Sequence, residues 1–72
     1  MTRTKEVEAL IQAKGLKKKF VAEQLGLSPW GFQLKLNNKN EFFSSEISKL
    51  CEILGIDDLE EKERLFFADE VD

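Results

Sequence analysis

Whatever chemistry this chain performs, it performs without histidine. The 72 residues include no His and one Cys, Cys51. That rules out a Cys/His zinc set, imidazole proton transfer and an internal disulfide. No other nucleophile–base pair or metal-ligand set stands out, so neither an enzyme nor a cofactor or metal site is expected. Two stretches remain whose residue types could recognise something. Lys17-Lys18-Lys19 offers three adjacent point charges to phosphate or to an acidic partner, or is simply a solvated face. The second is Ser28-Pro29-Trp30-Gly31-Phe32-Gln33-Leu34-Lys35-Leu36, followed by Asn37 and Asn38.

This second stretch reads as a short helix with a sharp start. Ser28 can accept a hydrogen bond from a free N–H of the first turn, and Pro29 suits the first helical position. At about 100° per residue, Phe32 and Leu36 point one way while Trp30 and Leu34 point nearly opposite. The outward pair has three readings. It packs under Phe42-Phe43 or the C-terminal tail; it anchors a protein partner, where Trp is the most enriched residue; or it meets a thymine methyl while Gln33 reads adenine. Gly31, at a cost of about 1 kcal/mol relative to Ala, is either tolerated near a helix end or clears space for a partner.

The elements that position these residues follow from periodicity and punctuation. Val7, Leu10 and Ile11 mark a first helix of about ten residues, with Thr2 or Thr4 as its cap and Gly15 as its stop. Leu16 returns to the core, and Phe20, Val21, Ala22 and Leu25 mark a second helix ending at Gly26. Small Ala22 suits a close helix crossing. Asn37-Asn38 closes the third helix, since Asn tolerates the left-handed conformation. A fourth helix begins at Ser44 or Ser45 and carries Ile47, Leu50, Cys51 and Leu54 on one stripe, with Cys51 as inert core. Gly55 ends it and Ile56 turns inward. Asp58 with Glu61 predicts a capping box for a last helix to about Phe67, with at least one of Phe66 and Phe67 in the core. No strand alternation, repeat or low-complexity linker is present. The expectation is one all-α domain spanning residues 1–72, with five short helices.

Bulk composition agrees with such a domain. Apolar residues make up 42% and charged residues 35%, and no apolar run approaches the ~20 residues of a membrane span. A cytoplasmic location is expected. The net charge of −3 conceals a gradient, from +4 over residues 1–22 and +1 over 23–40 to −2 over 41–56 and −6 over 57–72. The pI near 5.0 is low for a nucleic-acid binder, although so polarised a chain can still present a basic face. The acidic stretch from Asp57 onward is either solubilising surface or a phosphate-like face for a basic partner.

Gly15-Leu16, Val21-Ala22-Glu23-Gln24-Leu25-Gly26-Leu27-Ser28 and Phe32-Gln33-Leu34-Lys35-Leu36-Asn37 together resemble the Cro/repressor (XRE-type) helix-turn-helix. Ala22 and Gly26, six and two residues before Ser28, match the positions at which its two helices cross tightly. Asn38-Lys39-Asn40-Glu41-Phe42, Glu46-Ile47 and Leu65-Phe66-Phe67-Ala68-Asp69-Glu70-Val71 resemble small regulators of temperate phages of Gram-positive hosts, in particular the modulator-of-repression type.

The resemblance implies a five-helix lambda-repressor-like domain, with the helix-turn-helix at about 17–37 and the C-terminal helices at about 44–67. It also implies a bacterial host and a role in the lysis–lysogeny switch. Such a regulator acts either as an anti-repressor that binds the phage repressor's DNA-binding domain or as a Cro-like repressor on operator DNA. Three departures bear on that choice. Lys17 replaces the usual Thr or Ser cap, Lys18 replaces a phosphate-positioning Gln, and Trp30 and Leu34 occupy positions where polar base readers are usual. The surface expected to meet partner or DNA comprises Lys17, Lys18, Pro29, Trp30, Gly31, Gln33, Leu34, Lys35 and Asn37, with Lys18, Gln33 and Lys35 as a polar rim.

Overall fold

Helices of seven to eleven residues fall below the ~12–15 residues at which isolated helices become stable in water, so each must be held by its neighbours. The computed structural model describes residues 2–67 and builds them as five helices: α1 (Thr4–Ala13), α2 (Lys18–Gln24), α3 (Pro29–Leu36), α4 (Ser44–Leu54) and α5 (Leu59–Phe66). Among the described residues there is no strand, and no helix is long and apolar enough to cross a membrane. The all-α expectation and the five-helix order hold. The end of the acidic tail, from Ala68 onward, lies outside the described residues.

The first four helices stop in the same way. After α1 the N–H of Leu16 donates to the Ile11 carbonyl at 3.1 Å and that of Gly15 to Gln12 at 2.9 Å. The paired bonds recur as Leu27 to Ala22 with Gly26 to Glu23, as Lys39 to Leu34 with Asn38 to Lys35, and as Ile56 to Cys51 with Gly55 to Glu52. This is the Schellman pattern, which requires a left-handed residue just past the helix. Asn38 fills that place after α3 with φ of 59°, as its side-chain type suggested. In three cases the next residue is apolar, and Leu16, Leu27 and Ile56 pack against the core. Each stop signal is therefore also a return to the interior.

Starts are more varied. Ser28 accepts from the Gly31 N–H at 3.0 Å, and Pro29 takes the first position of α3. Neither Thr2 nor Thr4 caps α1. Arg3 holds that position, and its backbone N–H donates to the Leu65 carbonyl at 2.7 Å while its Nε donates to Arg64 at 3.2 Å. The start of α1 is thus fixed by α5 rather than by a local side chain. At α5, Asp58 accepts from the Glu60 N–H at 3.1 Å, but the second half of the expected capping box is missing. Glu61 instead takes Arg64 at 2.8 Å, and Arg64 also reaches Glu6 of α1 at 2.8 Å. A charge-assisted bond to a guanidinium outcompetes a neutral backbone N–H. The same guanidinium holds the Glu61 carboxyl below the usual carboxylate range.

The core is built from Val7, Ile11, Val21, Ala22, Phe32, Leu36, Phe42, Ile47, Leu50, Cys51, Leu54, Leu65 and Phe66, all buried. Ala22 is completely covered, as a close crossing between α2 and its neighbours demands, and α2 packs on both α3 and α4. Phe42, in the α3–α4 connection, meets Phe32 edge-on at 6.2 Å between centroids and Phe66 likewise at 6.2 Å. Of the two terminal aromatics Phe66 is core and Phe67 is exposed. Phe20, an apolar marker of α2 in the sequence, is also exposed: Val21 and Ala22 take the inward positions, and Phe20 lies about 100° round the helix from Val21. Burial pushes the Cys51 thiol up, only partly offset by the charge of Lys62, which fits an inert core residue.

Because Phe42 joins α3 to α5, truncating it removes contacts with both. Phe42→Ala should cost about 3–5 kcal/mol, a large share of the ~4–11 kcal/mol available to a chain of this size. Urea denaturation followed by circular dichroism measures it, and an unchanged midpoint would contradict the assignment of Phe42 as the joint.

Candidate interaction surface

Helical spacing places Trp30, Gln33, Leu34 and Asn37 at i, i+3, i+4 and i+7, one stripe of α3 and the residue just after it. Trp30 is 70% exposed, the most exposed of the large hydrophobic residues among those described. Leu34 and Gln33 are half-buried and Asn37 is exposed. The opposite side, Phe32 and Leu36, is buried, as the periodicity predicts. Among the described residues the outward aromatic is uncovered: Phe42 faces the core and the Phe43 ring lies over Lys35, while the end of the C-terminal tail, the other cover expected for it, lies outside the described residues. Leu34 is its half-covered neighbour rather than an equal partner. Gln33 donates from Nε2 to Oδ1 of Asn37 at 3.1 Å, so the two polar side chains of the stripe hold each other across one helical turn.

Pro29 and Gly31 flank Trp30. A Cβ on Gly31 would stand 3.2 Å from Oγ of Ser28, the atom that caps the helix through the Gly31 N–H. Crowding against the cap is thus a local cause for glycine here, beside any role in admitting a partner.

Lys35 is the clear correction. Expected on the polar rim, it is 7% exposed, and its Nζ lies 2.6 Å from Oε1 of Glu46, which is equally buried. Lys35 follows Phe32 by three residues and precedes Leu36, so helix geometry puts it on the core side whatever its charge. The same Glu46 oxygen accepts the Phe43 N–H at 2.8 Å, capping α4. The Phe43 ring lies over the ammonium at 4.1 Å, within cation–π range. The helix begins at Ser44, as expected, with Phe43 at the cap position. Among the described residues no buried side-chain nitrogen or oxygen lacks a partner.

At the start of α2, Lys17 and Lys19 are exposed and make no ion pair among the described residues. Lys18 differs: its Nζ is 2.9 Å from Oε2 of Glu8 on α1. The pair stands at an open groove between α1 and α2, about 320 Å³ in volume, floored by Ile11 and Leu16. Four of the nine expected surface residues thus share the α3 stripe, Pro29 and Gly31 border it, and Lys17 is free at α2. Lys18 is paired, and Lys35 is removed to the interior. Glu8 is not among the expected residues, and Glu46 is expected only at the start of α4, not as a partner of Lys35. Glu46 was signalled by Lys35 on the Phe32 face, which required a buried anion. Glu8 has no local signal, because its pairing depends on how α1 crosses α2.

A buried ion pair is costly to halve and cheap to replace whole. Lys35→Met alone should destabilise the protein by about 3 kcal/mol or more, since Glu46 is left buried without its cation. Adding Glu46→Gln, which can still accept the Phe43 N–H, should restore all but about 1 kcal/mol. Chemical denaturation of the two single variants and the double variant gives the cycle, and additive losses would contradict it. No protein-family model, curated protein or solved structure matches this chain, and its own surface chemistry is what bears on function.

Proposed function

We propose that this chain is a helix-turn-helix regulator of the temperate-phage type that acts on a protein: an anti-repressor whose α2–α3 surface docks on the DNA-binding domain of the phage repressor. The observation that carries the reading is Trp30, 70% exposed at the start of α3, where a DNA reader would present a polar side chain. An exposed indole of this kind offers on the order of 150 Å² of apolar surface, or about 3–4 kcal/mol if a partner pocket covers it. In this arrangement α2, the turn at Gly26 and α3 form the helix-turn-helix of a lambda-repressor-like domain.

Electrostatics supports the same choice. Of the cations expected to face DNA, Lys35 is consumed inside the fold and Lys18 is neutralised by Glu8. What remains is an aromatic anchor with a modest polar rim of Gln33, Asn37 and Lys17. Seated on the repressor, it would occlude the partner's DNA-contacting helix and release the operator. The site of action would be the cytoplasm of the bacterial host. One observation favours a second reading, a Cro-like repressor on operator DNA: Lys17 and Lys19 remain exposed and unpaired among the described residues, available to phosphate.

Trp30→Ala should reduce binding to the repressor's DNA-binding domain at least about 30-fold, as loss of ~2 kcal/mol or more at a hot spot implies, without lowering the melting temperature. Co-purification and calorimetric titration measure it. Retention of wild-type affinity by the folded variant overturns the anti-repressor reading. Specific operator binding by the protein alone at physiological salt supports the Cro-like one.

A further inference from the structure

We infer that Glu8 is a specificity determinant that keeps this surface off nucleic acid. The inference rests on the reading that the α2–α3 surface serves a protein contact. Lys18 opens α2 and is half exposed, so its ammonium is the group that a phosphate approaching the start of this helix would meet. Its Nζ is already held by Oε2 of Glu8 at 2.9 Å, and the Glu8 carboxylate is itself about one-third exposed. A phosphate reaching Lys18 must displace that carboxylate or sit beside it, and like charges at such range repel. The cost falls on polyanions alone. A partner surface without negative charge meets a pair of no net charge and feels no such repulsion, at the cost of partly desolvating it, so the carboxylate biases Lys18 against one class of partner.

The other acidic side chains of α1 and α5 are placed differently. Glu6 is occupied by Arg64, Glu61 likewise, and Glu60 and Glu63 are exposed on α5 without an ion pair among the described residues. Glu8 alone among them reaches α2. Glu8 and Lys18 line the groove together with Gln12, Ile11 and Leu16, so the pair borders it on the side of α2.

Fluorescence anisotropy with a labelled duplex of random sequence, from about 50 to 200 mM salt, tests the inference without the repressor. Glu8→Gln should bind at least about threefold tighter than wild type at the low-salt end, with a slope of log K against log salt steeper by about 0.9, one phosphate contact regained. Glu8→Ala should behave alike, and adding Lys18→Met should abolish the gain. Glu63→Gln, which removes the same charge from α5, should leave binding unchanged. Circular dichroism melts confirm that the variants fold. Wild-type affinity and slope in both Glu8 variants overturn the inference, as does an equal gain from Glu63→Gln or a gain that survives Lys18→Met. None of these results bears on Trp30, so failure here and failure of the anti-repressor reading are told apart by which assay fails.

Discussion

Edge-on packing of Phe42 between Phe32 and Phe66 joins parts of the chain that have little else in common. Phe32 belongs to the helix that carries the exposed indole, Phe42 to a connection without regular structure, and Phe66 to an acidic helix near the C-terminal end. None of these helices is long enough to persist alone. A small chain buries only about 60% of its unfolded surface, so a few large side chains must do the work of a deeper core. Once Phe42 is seated, Phe32 and Leu36 are committed inward, and the opposite side of α3 turns toward the surface, with Trp30 exposed and Gln33 and Leu34 half-buried. The exposure of Trp30 is a consequence of that constraint, not a separate feature of the surface.

The charges follow the same economy. Lys35 falls on the core side of α3 because of its spacing from Phe32, and the fold accommodates it with Glu46, the Phe43 ring and the start of α4. One ion pair thereby fixes the end of α3 against the beginning of α4. Arg64 similarly ties α5 to α1 through Glu6, in step with the Arg3 backbone bond to Leu65. Lys18 is taken up by Glu8. The basic first third of the sequence therefore presents less free positive charge than its composition suggests, and the surface that remains is led by an aromatic.

Much of this was legible in the sequence, for physical reasons that differ by element. Helix ends were legible because a left-handed position favours Gly or Asn, and because Leu16, Leu27 and Ile56 mark the return to the core. The stripe Ile47, Leu50, Cys51 and Leu54 announced itself by spacing. Starts were harder: Arg3 fixes α1 through a partner that local sequence does not identify, and Glu61 had a better partner than the backbone. Lys35 was not legible from its type, because a charged side chain points to the surface while its i, i+3 relation to Phe32 places it inward. Glu8 was not legible at all, since nothing in the chain foretells which α1 side chain reaches Lys18 until the crossing of the helices is known.

On the proposed reading, the single indole of this chain anchors a protein contact. Incorporating fluorotryptophan in place of Trp30 gives one fluorine NMR resonance for the whole protein, sensitive to solvent exposure at that ring alone. Titration with the unlabelled DNA-binding domain of the phage repressor should shift and broaden this resonance and remove its response to the H2O/D2O ratio, while an operator duplex leaves it in place. A resonance that keeps its position and solvent response when the repressor complex forms would contradict the claim, as would one that loses them only on the duplex.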